Sequence, residues 1–334
     1  MNVVPRILVT GGTGFIGSQL ALHAAKIGHP VTVASPVNND AERLRCDLLT
    51  RAGIPVVEAA LDDTARMRTA VAGQDAIIHL AAAQHEAAAP ESHFRKVNVE
   101  GTRTLLTLAM REGVKRVVHG STIGVYGDGR GGVLDELSPL APDNPYGRTK
   151  AEGEAVVREF ASRVGVVIVR ISETYGPADL RLLKLFRAIE RGRYVTLGSG
   201  LNERQLIYVE DLCRALLAAA QAPAAVGQTM ILAGGEHLTT DAMVASICTA
   251  LGKPERTPHL PLWPFDITAK VCETLLPPLG LKPPLHRRRL DFFRKSFRFS
   301  TERAARILGF RPQTPFATGA QLTAGWYREA GLLT

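Results

Sequence analysis

A run of small residues close to the start of the 334-residue chain limits its fold more than any other feature. Residues 6–10 form a short apolar run typical of a buried parallel strand, and residues 11–17 follow with the pattern G-x-x-G-x-x-G. Apolar residues then recur at helical spacing over 15–27. Glycines let the backbone turn tightly and approach a ligand, and a helix N-terminus offers amides without intrahelical partners. This strand–loop–helix unit predicts a binding site for the pyrophosphate of a dinucleotide.

Strand and helix patterns alternate over the first half of the chain. Further strand signals lie at 31–34, 55–58, 75–80, 115–119 and 165–170, with helical stretches between them. We therefore expect an α/β fold with a Rossmann-type, doubly wound parallel sheet and a smaller C-terminal α/β lobe. The expected division is a dinucleotide-binding Rossmann domain over 1–177 and a mainly substrate-binding lobe over 178–334, with the chain crossing back near 205–235.

The basic surplus of the chain lies in one segment. The formal net charge is +8, and residues 253–311 hold thirteen Lys and Arg against five Asp and Glu, whereas the remainder is balanced. Such a local surplus argues against a general nucleic-acid-binding surface. Three interpretations stay open: a solvated arm, a site for an anionic group of the substrate, and a surface for peripheral contact with anionic lipid.

Cysteine usage and targeting signals indicate a cytoplasmic protein. The four cysteines, Cys46, Cys213, Cys248 and Cys272, are far apart and not paired with nearby histidines, which predicts reduced thiols and no metal site. The N-terminus lacks the apolar core of a signal peptide. No apolar run reaches about 18 residues, so no membrane span is expected.

A tyrosine and a lysine four residues apart are the first candidates for chemistry. Tyr146 and Lys150 share one face of the helix predicted over 146–163. A tyrosine is a poor acid or base at neutral pH, but an adjacent ammonium stabilises the phenolate and lowers the pKa of the phenol. Thr122 follows shortly after the strand predicted at 115–119, where a hydroxyl can hold a substrate oxygen against Tyr146.

The order of these motifs resembles the extended short-chain dehydrogenase/reductase family, also described as the NAD-dependent epimerase/dehydratase family. Further matches are 79–82 (HLAA), 98–102 (NVEGT), 175–177 (YGP) and 204–211 (RQLIYVED), so the resemblance covers nearly the whole chain. It implies that Tyr146 is the catalytic acid/base, that Thr122 is the catalytic hydroxyl, and that Lys150 also binds the nicotinamide ribose. The implied cofactor-binding residues are Gly11, Gly14, Phe15, Ile16, Gly17, Ser35, Leu80, Ala81, Ala82, Asn98, Ser121, Tyr146 and Lys150.

The identity of the dinucleotide, NAD or NADP, stays open at this point. An acidic residue usually ends the second strand and binds the ribose 2′-hydroxyl, whereas this chain has Ser35 there. Loss of the carboxylate removes repulsion against a 2′-phosphate, which Arg43 or Arg45 could reach. No arginine replaces the acid directly.

Two departures from the family pattern concern the substrate. Sugar 4,6-dehydratases usually carry an Asp-Glu pair directly after the catalytic threonine, and Ile123-Gly124 in that place disfavours dehydration. Nucleotide-sugar enzymes commonly carry Asn where this chain has Glu173, and a carboxylate beside a diphosphate repels it unless paired. The candidate substrate residues are Gln84, His85, Glu173 and Arg204.

The C-terminal part resembles the 3β-hydroxysteroid-dehydrogenase-like branch of the family, through 260–264 (LPLWP), 283–289 (PPLHRRR) and 299–312. We therefore expect an oxidoreductase that interconverts a secondary alcohol and a ketone on a hydrophobic, 3β-hydroxysteroid-like substrate. The alternatives are a nucleotide-sugar 4-epimerase with tightly bound NAD and a non-catalytic NAD(P)-binding protein.

A homodimer is expected from the same resemblance. Helices 92–112 and 146–163 correspond to those that pair between protomers in the family. Their outward faces are expected to include Leu105, Leu108 and Val156.

Overall fold

The computed structural model describes residues 4–84, 89–128, 132–255, 257–276 and 287–334. The strands are β1 (Ile7–Thr10), β2 (Val31–Ala34), β3 (Val56–Val57), β4 (Ala76–His79), β5 (Arg116–Thr122), β6 (Val133–Leu134), β7 (Gly165–Ile171), β8 (Thr174–Tyr175), β9 (Thr196–Leu197), β10 (Glu203–Arg204), β11 (Ile207–Tyr208), β12 (Thr229–Leu232), β13 (Leu238–Thr239), β14 (His259–Leu260) and β15 (Arg298–Phe299).

The helices are α1 (Phe15–Lys26), α2 (Asp40–Arg51), α3 (Thr64–Val71), α4 (Glu91–Arg95), α5 (Thr102–Arg111), α6 (Pro145–Glu159), α7 (Leu183–Glu190), α8 (Val209–Gln221), α9 (Thr240–Leu251), α10 (Trp263–Leu275), α11 (Arg287–Arg294), α12 (Glu302–Leu308) and α13 (Phe316–Glu329). Between α4 and α5, Lys96–Gly101 is π-helical, so that one helical run extends from α4 through α5.

A parallel sheet of seven strands forms the centre of the fold, in the order β3-β2-β1-β4-β5-β7-β12. The strand order reverses at β1, because β2 and β3 lie on one side of it and the later strands lie on the other. This is a doubly wound arrangement. The predicted Rossmann-type parallel sheet is therefore confirmed.

Alternate residues of β1 enter two different apolar cores, as the two-residue period of a strand requires. Ile7 and Val9 belong to the core that α1 and α8 cover, whereas Leu8 belongs to the core on the opposite face. Helices α3, α5 and α6 cover that second face. Both faces of the sheet are thus buried, which explains the almost continuous apolar runs of its strands.

Three side chains predicted on outward helix faces are buried instead. Leu105, Leu108 and Val156 lie in the second core, with 1%, 3% and 4% of their surface exposed. They pack α5 and α6 against the sheet and are not free to contact another protomer. The interpretation of these side chains was wrong, and the homodimer itself stays a prediction.

A third core lies in the C-terminal half, where α7, α9 and α13 pack around aromatic side chains. The ring centroids of Tyr175 and Phe316 are 4.8 Å apart, and those of Phe186 and Tyr327 are 5.2 Å apart. The chain returns to the central sheet through α8, which packs on α1, and β12, which pairs with β7. Strand β12 therefore belongs to the central sheet although it follows residue 177.

The carboxyl ends of four neighbouring strands meet at one edge of the sheet. Strand β1 ends at Thr10, β4 at His79, β5 at Thr122 and β7 at Ile171. In doubly wound sheets, ligands bind at this edge, next to the point where the strand order reverses.

Candidate active site

A cleft of about 930 Å³ opens at this edge of the sheet. Its wall includes the glycine loop and the start of α1, segments that follow β2, β3, β4, β5 and β7, part of the helical run from α4, the first turn of α6, and Arg181. The predicted site residues that line it are Gly11, Gly14, Phe15, Ile16, Gly17, Ser35, Leu80, Ala81, Ala82, Gln84, Ser121, Thr122, Tyr146 and Glu173. Motifs that are far apart in the sequence thus meet in one cavity.

Three predicted site residues lie behind the wall of this cleft. Lys150, Asn98 and Arg204 each have at most 3% of their surface exposed. Asn98 and Arg204 bind residues that do line the cleft. His85, the remaining substrate candidate, lies outside the described residues.

Close packing at the glycine loop brings the backbone itself to the cleft. Gly11 has a φ of +70°, and a Cβ placed on it would lie 2.7 Å from the amide nitrogen of Ala81. A Cβ on Gly17 would lie 2.3 Å from the carbonyl oxygen of Gly11. Within the described ranges, no side chain caps the N-terminus of α1 at Gly14. The loop therefore fits a pyrophosphate, which needs close backbone approach and the positive end of a helix dipole.

The cleft wall carries the Glu42 carboxylate on the segment after Ser35, and the Arg181 guanidinium lies 5.6 Å from the Phe15 ring centroid. Glu42, which the sequence analysis missed, lines the cleft, and its Oε2 accepts a hydrogen bond from the Asn38 amide at 2.7 Å. Arg45 donates to the carbonyl oxygens of Thr13 and Ala178, at 3.4 Å each. Arg45 is thus engaged with the backbone.

Local capping sets the position of the catalytic tyrosine candidate. Asn144 Oδ1 accepts a hydrogen bond from the Gly147 amide at 3.0 Å, and Pro145 occupies the first helical position. Helix α6 therefore begins immediately before Tyr146. This start places Tyr146 at the cleft, with Lys150 one turn further along the same face.

The residues after β5 offer one hydroxyl and then apolar groups. Thr122 lines the cleft, and its Oγ1 accepts a hydrogen bond from the Gly124 amide at 3.1 Å. This bond caps the 3-10 turn that starts at Ile123. Ile123 also lines the cleft and is 7% exposed. Neither Ile123 nor Gly124 carries a side chain that can transfer a proton.

The Lys150 side chain is buried among neutral histidines. Desolvation lowers the pKa of Lys150 to about 8, and the nearby Glu154 carboxylate opposes that shift. The Nζ of Lys150 lies 3.4 Å from Nε2 of His119, whose pKa burial and Lys150 hold well below its usual value. The same two causes lower the pKa of His79 to about 3. Both imidazoles are therefore neutral at physiological pH.

A buried glutamate that sequence reasoning missed organises the other side of α6. Glu154 accepts hydrogen bonds from Ser121 Oγ at 2.6 Å and from Arg170 at 2.8 and 2.9 Å. Arg158 donates a further bond at 2.9 Å. The Arg170 hydrogen bonds and charge hold the pKa of Glu154 below its usual value despite its burial. Glu154 follows Lys150 by four residues, so the sequence itself places the two side chains on the same face of α6 and could have indicated their pairing.

Asn98 fixes the loop that follows β4. Its Oδ1 accepts from the Ala83 amide at 2.9 Å, and its Nδ2 donates to the Ala83 carbonyl at 3.1 Å and to Thr149 Oγ1 at 3.0 Å. The residue lies in the π-helical segment, a geometry frequent at functional sites. Asn98 thus joins the cleft wall to α6 without lining the cleft.

The substrate candidates Glu173 and Arg204 form an ion pair. Arg204 Nη1 donates to both carboxylate oxygens of Glu173, one at 2.5 Å. The Arg204 side chain is 4% exposed, whereas that of Glu173 is 45% exposed. The guanidinium also lies 4.1 Å from the Phe292 ring centroid and donates to the Phe292 carbonyl at 2.8 Å. Glu173 is therefore paired, and the repulsion expected of a lone carboxylate does not apply to it.

The described residues form neither a metal site nor a membrane-spanning helix. They contain no group of three or more His, Cys, Asp or Glu side chains arranged to hold a metal ion. In the same part of the chain, no helix is long and apolar enough to cross a membrane.

Residues 7–234 match the sequence model of the NAD dependent epimerase/dehydratase family. The chain belongs to this family. The match covers the glycine loop, the strand-end hydroxyl and the Tyr146–Lys150 motif, so the family resemblance stated from those residues is confirmed.

Two curated relatives act on nucleotide sugars according to their names. The dTDP-glucose 4,6-dehydratase of Streptomyces niveus is 31% identical over 341 residues, which cover 97% of this chain and 93% of that protein. The UDP-glucose 4-epimerase of Vibrio cholerae is 29% identical over 275 residues, or 79% of this chain and 81% of that protein. The crystal structure of the dTDP-glucose 4,6-dehydratase DesIV of Streptomyces venezuelae, with NAD bound, superposes with a TM-score of 0.78. It is 29% identical and covers 98% of each chain.

These comparisons change two expectations about the family branch. The relatives are nucleotide-sugar epimerases and dehydratases, and they give no support to a 3β-hydroxysteroid-dehydrogenase-like branch. The C-terminal pattern was a poor guide because it lies largely outside the cleft wall. The expectation that disfavoured dehydration is not supported either, since dehydratases are among the relatives.

Substitution of Lys150 by Met is expected to stabilise the protein at pH 7. The folded-state pKa of about 8 lies below the ordinary lysine value of 10.5, so the unfolded chain holds the proton more strongly. The buried ammonium of Lys150 destabilises the folded state fully below pH 8, and this loss of stability disappears as the pH rises through 10.5. At about 1.4 kcal/mol per pKa unit, it is on the order of 3 kcal/mol. Thermal midpoints at pH 7 and pH 10 test this, and the gain should shrink at pH 10.

Lys115→Met is the matched control, because the Lys115 side chain is 82% exposed. It should change the midpoint little at either pH. A clear loss of stability in Lys150→Met at pH 7 would contradict the interpretation that burial of the ammonium is a cost.

Substitution of Gly17 by Ala is expected to weaken NAD binding at least about tenfold, or about 1.4 kcal/mol. The new Cβ would lie 2.3 Å from Gly11 O and 2.7 Å from Gly12 Cα, so the loop must shift. Calorimetric titration with NAD measures the effect. Gly325→Ala is the control, since its Cβ meets no atom within 4 Å. Equal NAD affinity in folded Gly17→Ala and in Gly325→Ala would refute the role of the loop.

Proposed function

We propose that the protein is a nucleotide-sugar 4-epimerase that uses NAD. The observation that carries this proposal is the composition of the cleft, where Thr122 and Tyr146 line the wall, Lys150 lies behind it, and apolar Ile123 follows Thr122. This set suffices for removal and return of a hydride at one carbon. The nucleotide-sugar relatives support the substrate class.

Each catalytic side chain of the cleft has a separate role in this reaction. Tyr146 accepts the proton of the C4 hydroxyl, and the Lys150 ammonium stabilises the phenolate that accepts it. Thr122 holds the C4 oxygen by a hydrogen bond. Bound NAD supplies a reversible hydride acceptor at its nicotinamide ring. Epimerisation would follow if the 4-keto sugar turned its other face towards the cofactor: the hydride held by NAD would return to C4 from that side, and Tyr146 would return the proton to the C4 oxygen.

The adenosine end of the cleft supports NAD rather than NADP. Glu42 lines this part of the wall, and a carboxylate repels a 2′-phosphate. Arg45 is hydrogen-bonded to two backbone carbonyls and Arg43 is not among the lining residues. Ser35 Oγ is 2.6 Å from Thr13 Oγ1, which fixes the end of β2 beside the glycine loop.

A 4,6-dehydratase is the second candidate, because the Streptomyces niveus relative carries that name. Dehydration begins with the same oxidation at C4. It then needs groups that remove a proton from C5 and protonate the leaving hydroxyl at C6. Ile123 and Gly124 cannot do either, and the Glu173 carboxylate is bound by Arg204. Because of these residues, we propose a 4-epimerase in preference to a 4,6-dehydratase.

The expected division of the chain into domains and the expected homodimer are also part of this proposal. We propose that residues 1–177, together with the returning strand β12, bind the dinucleotide, and that most of 178–334 binds the sugar. Homodimerisation through the runs 92–112 and 146–163 also stays a prediction, through side chains other than those found in the core.

A substrate screen tests the proposed activity. The protein is incubated with NAD and panels of UDP-hexoses, dTDP-hexoses and sterol-like alcohols, and products are separated by chromatography. We expect the C4 epimer of a nucleotide sugar, without loss of water. Tyr146→Phe should lower kcat about 100- to 10,000-fold, because it removes the proton acceptor.

Tyr194→Phe is the control, since Tyr194 does not line the cleft, and it should retain activity. A 4-keto-6-deoxy product would establish the dehydratase instead. Turnover confined to the sterol-like alcohols would refute both nucleotide-sugar candidates.

Substitution of Glu173 by Gln tests whether a diphosphate binds beside the Glu173–Arg204 pair. The change removes one negative charge and leaves the buried Arg204 cation in place. We therefore expect UDP or dTDP to bind about tenfold more tightly, measured by calorimetry. Glu329→Gln, at an exposed residue on α13, controls for net charge. Weaker binding in Glu173→Gln would show instead that the carboxylate accepts a hydrogen bond from the ligand.

A further inference from the structure

Helix α10 carries a row of exposed apolar side chains. Trp263, Ile267, Val271 and Leu275 are 66%, 56%, 47% and 59% exposed. Their four-residue spacing places them along one face of the helix. Scattered exposed apolar residues are ordinary on a protein surface, but a continuous row of this kind marks an interaction site. We name these four residues the α10 stripe.

The opposite face of α10 packs against the protein. Ala269, half-way along the helix, is fully buried. Helical spacing of about 100° per residue puts Ala269 on the side away from the middle of the stripe. Asp266 binds Arg294 of α11 at 2.9 Å. The helix is thus held by its inner face, and the stripe faces outward.

The surroundings of the stripe are basic. Lys270 is exposed and lies seven residues after Trp263, which places it beside the stripe. Helix α11, which contacts α10, begins with the sequence Arg287-Arg288-Arg289. Both helices belong to the segment 253–311, which holds thirteen basic against five acidic residues. The arginine-rich start of α11 therefore lies on a helix next to α10, and Lys270 adds a positive charge beside the stripe; the acidic residues of α10 are Asp266, which binds Arg294, and Glu273.

We propose that the α10 stripe docks on an anionic lipid bilayer. An amphipathic helix that lies in the membrane interface buries apolar side chains below the head groups, and basic residues beside it contact anionic lipid. A second copy of the chain fits less well, because two surfaces of the same positive sign repel each other. The proposal does not depend on the identity of the substrate.

Vesicle flotation with the full chain tests this docking surface. Vesicles of phosphatidylcholine alone are compared with vesicles that contain phosphatidylglycerol as well, at low and high salt. We expect binding to the anionic vesicles that weakens with salt, and a blue shift of tryptophan emission on binding. The chain has two tryptophans, and the shift should disappear in Trp263→Phe.

The double variant Ile267→Asp/Val271→Asp should reduce the bound fraction at least tenfold. Both side chains are exposed, so circular dichroism and the thermal midpoint should not change. Leu322→Asp is the control, since Leu322 is 50% exposed on α13 and is not part of the stripe, and this variant should bind like the parent.

Three results would overturn the proposal. The first is no flotation of the parent chain with anionic vesicles at low salt. The second is equal flotation of Ile267→Asp/Val271→Asp. The third is a dimer in solution that this variant abolishes, which would assign the stripe to a second copy of the chain.

Discussion

The burial of the Lys150 ammonium is the constraint on which the catalytic side of the sheet depends. A cation without access to water needs a counter-charge and neutral neighbours, because the interior solvates it poorly. Glu154 supplies the counter-charge one turn along α6, and two histidines on β4 and β5 stay neutral beside it. The proposed role of Lys150 beside Tyr146 is thus obtained at a cost in stability.

The hydrogen bonds of Glu154 extend this constraint to the sheet. Glu154 binds Ser121 at the end of β5 and Arg170 on β7, and Arg170 Nη1 donates to Tyr126 Oη at 2.7 Å. Asn98 joins α6 to the loop after β4 in the same way. Helix α6 is therefore tied to β5, to β7 and to the loop after β4, and the first turn of α6 is fixed over the cleft.

Sequence reasoning succeeded where a local pattern carries the information. The glycine loop and the Tyr146–Lys150 spacing are read within one strand, turn or helix, and the alternation of strands and helices predicts the sheet. Sequence reasoning missed the ion pair of Glu173 with Arg204 and the presence of Glu42 in the cleft wall. Both depend on tertiary contacts between separate elements. The branch prediction was wrong because it was drawn from a C-terminal pattern that contributes no residue to the described cleft wall.

The basic segment is fixed to the rim of the cleft by ion pairs. Lys295 binds Asp143, which lies three residues before Tyr146, and Arg298 binds Glu203, beside Arg204. Phe292 of α11 covers the guanidinium of Arg204, which holds Glu173 at the cleft. A surface that docks through α10 is therefore connected to the substrate end of the cleft by a short chain of contacts. Because α11 contacts α10 and also covers Arg204, a bilayer bound at α10 would lie at a set distance along the chain of contacts from the substrate end of the cleft.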